Sequence, residues 1–468
     1  MRRTALITAI TAALITIGTM TSPAARNDGP RIHGLDFALP EVTTFRTQNK
    51  LTVYYIKDEL PMVTVTAAVG FGKLYEKKHN AGISSLLAKT LSLGGSKKYP
   101  GGKLHEKIEF IGGRIGIASS WEQTYISLTV LERHAETAMD ILESILTEPN
   151  LDERYVENAK ALIIEGIKRK KDQPQLIAFD KLREIIFHGD GYGATETIDT
   201  VQSISSRDLE NVVSGYFTAA NTALGISAPF STASVRSLVA SHFGSMKKGS
   251  LREYSMNRGL LEKRIAERQN NIYLIPKDIP QATIAMGTLA PSLHDEGLFP
   301  LMVMNYILGE GSFNSRLMQE IRVKRGLSYS TGSVMRSRKN TGLFLAYAQT
   351  KTNMADTTFS IMVENILKMK HEKVTPKELS WTGESIRNSY VFEFNSTGDT
   401  LGKFMYLHYN GLGKNFLNDY LGNINRVTPE SIINYSNVLL KEGLIKVVVG
   451  KREMQEKLKR FGNVVILE

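Results

Sequence analysis

The residues of this chain that could do chemistry are scattered. Nine histidines stand at positions 33, 79, 105, 134, 188, 242, 294, 371 and 408, and no two are three to five residues apart. One helical turn therefore cannot aim two imidazoles at a single metal ion, as a helix-borne zinc site requires. There is no cysteine, which removes thiolate zinc sites, iron–sulfur clusters, a cysteine nucleophile and any disulfide framework. No GxSxG elbow, GxxxxGK(S/T) phosphate loop or GxGxxG turn occurs. A sharper cluster lies further on, from Leu308-Gly-Glu-Gly311 through Ser315-Arg316-Leu317 and Glu320 to Arg322, Lys324, Arg325, Gly326 and Tyr329. Arg322 and Tyr329 stand seven residues apart in it, a guanidinium and a phenol that can each donate hydrogen bonds. The same cations also have a purely structural reading. In the last turn before Gly326, Arg322, Lys324 and Arg325 complement a helix dipole and a glycine C-cap without any ligand.

The elements that must hold these residues are written twice. Met62 to Gly70 alternates as a strand, Ala81 to Leu93 carries Ile83, Leu86, Leu87 and Leu91 at helical spacing, and Leu104 to Ile111 is a second helical run. Ala282 to Thr288, Leu298 to Leu308 and Leu317 to Val323 repeat that order. Tyr125 to Val130 with Ala135 to Leu146 then match Gly342 to Ala348 with Ala355 to Leu367, all at an offset of about 213 to 221 residues. The pattern predicts an α+β fold of two tandem duplicated domains, each a mixed β-sheet with helices packed on one face. The expected limits are 26–240 and 269–468, joined by a polar, Gly-bearing linker over 241–268.

Length and composition agree. At 468 residues with 42% hydrophobic residues, the chain can bury more than one core. The 58 Lys and Arg are offset by 47 Asp and Glu, and no basic run interleaved with aromatics argues for nucleic acid. Met1-Arg2-Arg3, an uncharged stretch over Thr4 to Met20, and Thr21-Ser-Pro-Ala-Ala25 have the order of a secretory signal peptide over residues 1–25. The alternative is an uncleaved membrane anchor. Beyond it no run approaches 18 apolar residues, so no membrane contact is expected once the leader is removed.

The duplicated layout resembles the insulinase-type zinc peptidases (the pitrilysin/insulinase or inverzincin family) in their two-domain bacterial form, over nearly all of the chain after the leader. Active members carry HxxEH on the helix after the first strand, two zinc ligands and a general base. The matching frame here runs from Gly82 through Gly94-Gly-Ser96 to Lys-Lys-Tyr-Pro100, but Ser85, Ala88 and Lys89 stand at the three chemical positions. The family's third ligand, a Glu further along, corresponds to Glu165; without its partners it reads equally as an exposed helix glutamate beside Lys168 and Arg169. Asp172-Gln-Pro174 and Phe187-His188 to Gly193 resemble family scaffold landmarks. The segment around Arg322 and Tyr329 is similar to the family's substrate-clamping segment. The resemblance implies a degenerate subunit with no catalytic residue and no bound zinc of its own, inactive alone and active only with a zinc-bearing partner. Arg322 and Tyr329 would hold unfolded peptides for an HxxEH-bearing subunit in a secreted, periplasmic heteromeric metallopeptidase. The competing reading is a structural or binding protein that kept the fold and lost any peptidase role.

Overall fold

The computed structural model describes residues 39–468, so the leader read over 1–25 lies outside the described residues. Two six-stranded sheets organise the chain. The first comprises β1 (Thr43–Arg46), β2 (Thr52–Lys57), β3 (Met62–Val69), β4 (Arg114–Ser119), β5 (Thr124–Leu131) and β6 (Thr222–Ala228), in the order β1-β2-β6-β3-β5-β4. The second comprises β7 (Asn271–Pro276), β8 (Gln281–Ala290), β9 (Ser328–Ser337), β10 (Gly342–Lys351), β11 (Ile445–Gly450) and β12 (Asn463–Ile466), ordered β12-β7-β11-β8-β10-β9. Five positions correspond one to one. In both sheets one parallel pair, β2 with β6 and β7 with β11, precedes three antiparallel pairings. Only the outermost strand differs, since β1 joins β2 antiparallel while β12 joins β7 parallel.

Strand alternation assigns each side chain to a face. In β2, Val53 and Tyr55 join the core under α1 (Ile83–Gly94), α2 (Gly102–Phe110) and α3 (Ala135–Thr147), whereas Tyr54 and Ile56 point the other way. That second face is covered by a helix from the other copy. Leu401 and Met405 of the helix Thr397–Asn410 pack on Tyr54, Ile56, Ala68 and Ala223. Reciprocally, Ala178, Leu182 and Ile186 of α5 (Pro174–Phe187) pack on Tyr273, Ala285, Ile445 and Val447 of the second sheet. Each copy's own helices lie on one face, as the pattern predicts, and this exchange closes the other. Two strand glycines permit the close approach: a Cβ on Gly225 would stand 3.0 Å from Met405 Cε, and one on Gly287 2.9 Å from Leu182 Cδ2.

The connection over 241–268 is not irregular throughout. Its end forms the helix Arg258–Arg268, capped by the Asn257 side chain, which accepts from Leu260 N at 3.0 Å. Leu261 and Ile265, one turn apart, give this charged run a buried stripe against α5 and the second sheet. No helix among the described residues is long and apolar enough to cross a membrane.

Candidate functional site

The helix α1 shows what became of the first site. Ile83, Leu86, Leu87 and Leu91 are buried, so Ser85 and Lys89, one turn apart, share the exposed side, with Ala88 buried beside them. The start of α1 is held by a buried carboxylate, Glu76, which accepts from Gly82 N at 2.9 Å, Ser84 N at 3.1 Å and Ser84 Oγ at 2.5 Å. Burial pushes the Glu76 carboxyl up, and the hydrogen bonds from Ser84 and Gly82 with the Lys73 charge offset this only in part. Glu76→Ala leaves three buried donors without an acceptor. It should lower stability by about 2 to 4 kcal/mol, read by chemical denaturation; a loss below about 0.5 kcal/mol would show that the donors find other partners.

The zinc that the resemblance would place on this face does not suit the residues present. Ser85 is a poor zinc ligand, Ala88 cannot take a proton from water, and the Lys89 ammonium repels a divalent cation. Glu165 lies exposed on α4 (Glu153–Lys170) and pairs with Arg169 at 3.0 Å. Among the described residues, no three His, Asp or Glu side chains gather where a metal ion could be held. The purified chain should therefore carry well below one zinc per molecule after dialysis. Stoichiometric, chelator-resistant zinc by elemental analysis would contradict this.

Arg322 and Tyr329 stand together. A π-helical turn, Met318–Val323, is followed by Gly326, whose φ is +61° and whose N–H donates to Arg322 O at 3.0 Å, and β9 begins two residues later. This turn returns the chain so that Arg322 Nη1 donates to Tyr329 O at 3.2 Å. The guanidinium lies 4.6 Å from the Tyr329 ring centroid and 5.0 Å from that of Phe313. Tyr329 is 82% exposed and Phe313 55% exposed, so the result is an aromatic–arginine–aromatic stack facing solvent. Among the described residues the Tyr329 hydroxyl has no hydrogen-bond partner, which leaves it able to donate outward. The other cations of the segment are spoken for. Arg316 grips Glu378 at 2.7 and 3.1 Å, while Lys324 and Arg325 both pair with Glu320. Burial alone would raise the Glu378 carboxyl, but Arg316 and the Thr375 cap outweigh it and hold it below the usual carboxylate range. The resemblance to the family's clamping segment pointed to Arg322 and Tyr329; it missed Phe313, whose signal was a large apolar residue in the polar run Gly-Ser-Phe-Asn.

A second feature escaped the sequence altogether. The turn between β4 and β5 carries Trp121 and Glu122; the equivalent turn between β9 and β10 carries Arg338. The two turns meet, with Glu122 Oε2 3.5 Å from Arg338 Nη1 at side-chain exposures of 5% and 19%. Tyr192 donates its hydroxyl to Glu122, and the Arg338 guanidinium lies 5.1 Å from the Trp121 ring and 5.2 Å from that of Tyr192. Burial, reinforced by the Glu122 charge, raises Tyr192 and pushes Tyr125 and Tyr406 up to about 12.

Comparison with known proteins decides the ancestry. Residues 52–198 match the family described as "Insulinase (Peptidase family M16)", and residues 203–381 match "Peptidase M16 inactive domain". The chain belongs to the insulinase family. One relative, an "Uncharacterized zinc protease YmxG" of Bacillus subtilis, is 26% identical over 389 residues, covering 81% of this chain and 91% of its own. A "Non-peptidase homolog YmxG" of Helicobacter pylori is 24% identical over 396 residues, covering 83% and 89%. Among solved structures, a peptidase M16 inactive domain from Pseudomonas fluorescens superposes with a TM-score of 0.77 at 20% identity, over 88% of this chain and 98% of that one. The fold is thus that of the family, and Ser85, Ala88 and Lys89 make this chain a non-catalytic member of it.

Proposed function

We propose that this chain is the substrate-clamping, non-catalytic subunit of a heteromeric zinc metallopeptidase of the cell envelope. Its half-buried Arg322 and exposed Tyr329 would hold unfolded peptides against the metal of an HxxEH-bearing partner. The observation that carries this reading is the contrast between the two halves. α1 has lost every chemical group of the family motif, while the second half keeps a preorganised donor pair whose phenol is exposed and unengaged. The outer edges of β4 and β9, each the last strand of its sheet, also offer unpaired main-chain groups that an extended peptide can pair with.

Purification from the envelope of the native host tests the proposal. The chain should begin near Ala25 or Arg26 by N-terminal sequencing, co-purify with an HxxEH-bearing subunit, and enable peptide cleavage that neither chain gives alone. Failure of every such partner to gain activity on mixing would favour the structural or binding reading. That reading draws its own support from the Arg322 hydrogen bond to Tyr329 O and the Gly326 turn, which engage the arginine without any ligand.

A further inference from the structure

The free edge of the second sheet borders a cavity of about 170 Å³ that neither the clamp nor the α1 face uses. Trp121, Phe187 and Tyr192 wall it from the first half, and Val334, Leu343 and Leu345 from the second. Val334 pairs with Leu345 and Arg336 with Leu343 across β9 and β10, so these four share the α5 side of the sheet. The space suits one aromatic ring, since an apolar cavity of about 150 Å³ holds benzene.

The charged lining is of one sign. Arg183, Arg336 and Arg338 line the cavity and no carboxylate does. Their acidic partners are not part of its wall: Asp180 pairs with Arg183, Glu310 lies 3.4 Å from Arg336 and Glu122 3.5 Å from Arg338. Arg183 Nε is buried and makes no hydrogen bond, and the Arg183 guanidinium lies 5.0 Å from the Trp121 ring. A buried guanidinium N–H without an acceptor is costly, and a carboxylate is the ligand that best satisfies such a fork. An apolar chamber one ring in size, bordered by guanidinium groups, is complementary to an apolar residue that carries its own carboxylate.

We propose that this cavity binds the C-terminal residue of a peptide, with an aromatic or large aliphatic side chain against Trp121 and the α-carboxylate on Arg183 and Arg336. The inference rests on the reading of this chain as a peptide clamp. A peptide fits better than a free acid because Val334 and Arg336 lie on β9, whose open edge can pair with the preceding residues as an added strand. Both halves supply walls, so the site exists only where they close on each other.

The test uses the purified chain alone with N-terminally labelled decapeptides, read by fluorescence anisotropy. A peptide ending in Phe with a free carboxylate should bind at least about tenfold more tightly than its C-terminal amide, the scale for losing a charged hydrogen-bond acceptor, and more tightly than one ending in Gly. Arg336→Gln, at a largely exposed side chain, should weaken the free acid to the level of the amide and leave the amide unchanged. Equal binding of acid and amide overturns the assignment, as does N-acetylphenylalanine binding as tightly as the decapeptide. The clamp reading fails separately. If acid and amide bind equally but Arg322→Ala weakens both, the cavity assignment falls and the clamp stands. If the preference for the acid persists while no zinc-bearing partner yields cleavage, the cavity stands and the clamp falls.

Discussion

Glu122→Ala should destabilise the folded chain by about 3 kcal/mol. The substitution strands the Arg338 guanidinium, whose side chain is 19% exposed, between two aromatic rings with its carboxylate gone, and it takes the acceptor from the Tyr192 hydroxyl. Removing one member of a buried pair costs far more than replacing both, because the remaining charge keeps its desolvation penalty and loses its compensation. Glu122→Leu combined with Arg338→Met should therefore recover most of the loss, a coupling that a double-mutant cycle in urea would measure. Because the pair joins equivalent turns of the two halves, the single variant should also make their unfolding less cooperative, splitting one transition into two. A loss under about 1 kcal/mol with a single unchanged transition would mean that the α5 and Thr397–Asn410 exchange alone holds the halves together.

Arg322→Ala should reduce peptide cleavage by the assembled pair about 10- to 100-fold, equivalent to roughly 1 to 3 kcal/mol for loss of a charged donor. Tyr329→Phe should cost less, since it removes one hydroxyl and keeps the ring that stacks on Arg322. Both variants should fold and associate normally, because Tyr329 is 82% exposed and Arg322 lies in an exposed turn. If Arg322 serves only to finish its turn, the alanine variant should instead lose about 0.3 to 1 kcal/mol of stability with cleavage unchanged. Thermal melts and peptidase assays on the same reconstituted sample separate these outcomes. Wild-type cleavage from both variants would refute the clamp.

Several features were legible in the amino-acid sequence because they depend only on residue type and local spacing. The alternation of β3, the helical spacing of Ile83, Leu86, Leu87 and Leu91, and their recurrence at a nearly constant offset follow from backbone periods that every strand and helix shares. The loss of the metal-binding motif is equally local, for no packing turns Ala88 into a base or Lys89 into a zinc ligand. The pairing of Arg322 with Tyr329 was visible only through the resemblance of its segment to the family's, and the turn at Gly326 realises it. Tertiary structure alone decided the rest. Tyr54, Ile56 and Ala68 make the second face of the first sheet apolar, but nothing in the local pattern says that Leu401 and Met405 cover it, since an apolar face specifies burial and not the partner. Gly225 in β6 and Gly287 in β8, each set within a strand, were the local hints of a close approach. Glu122 and Arg338 look like ordinary turn charges until the two halves close, when the same contact withdraws both from water and places Trp121 against the arginines. Such contacts depend on rigid-body placement, which no period in the chain encodes.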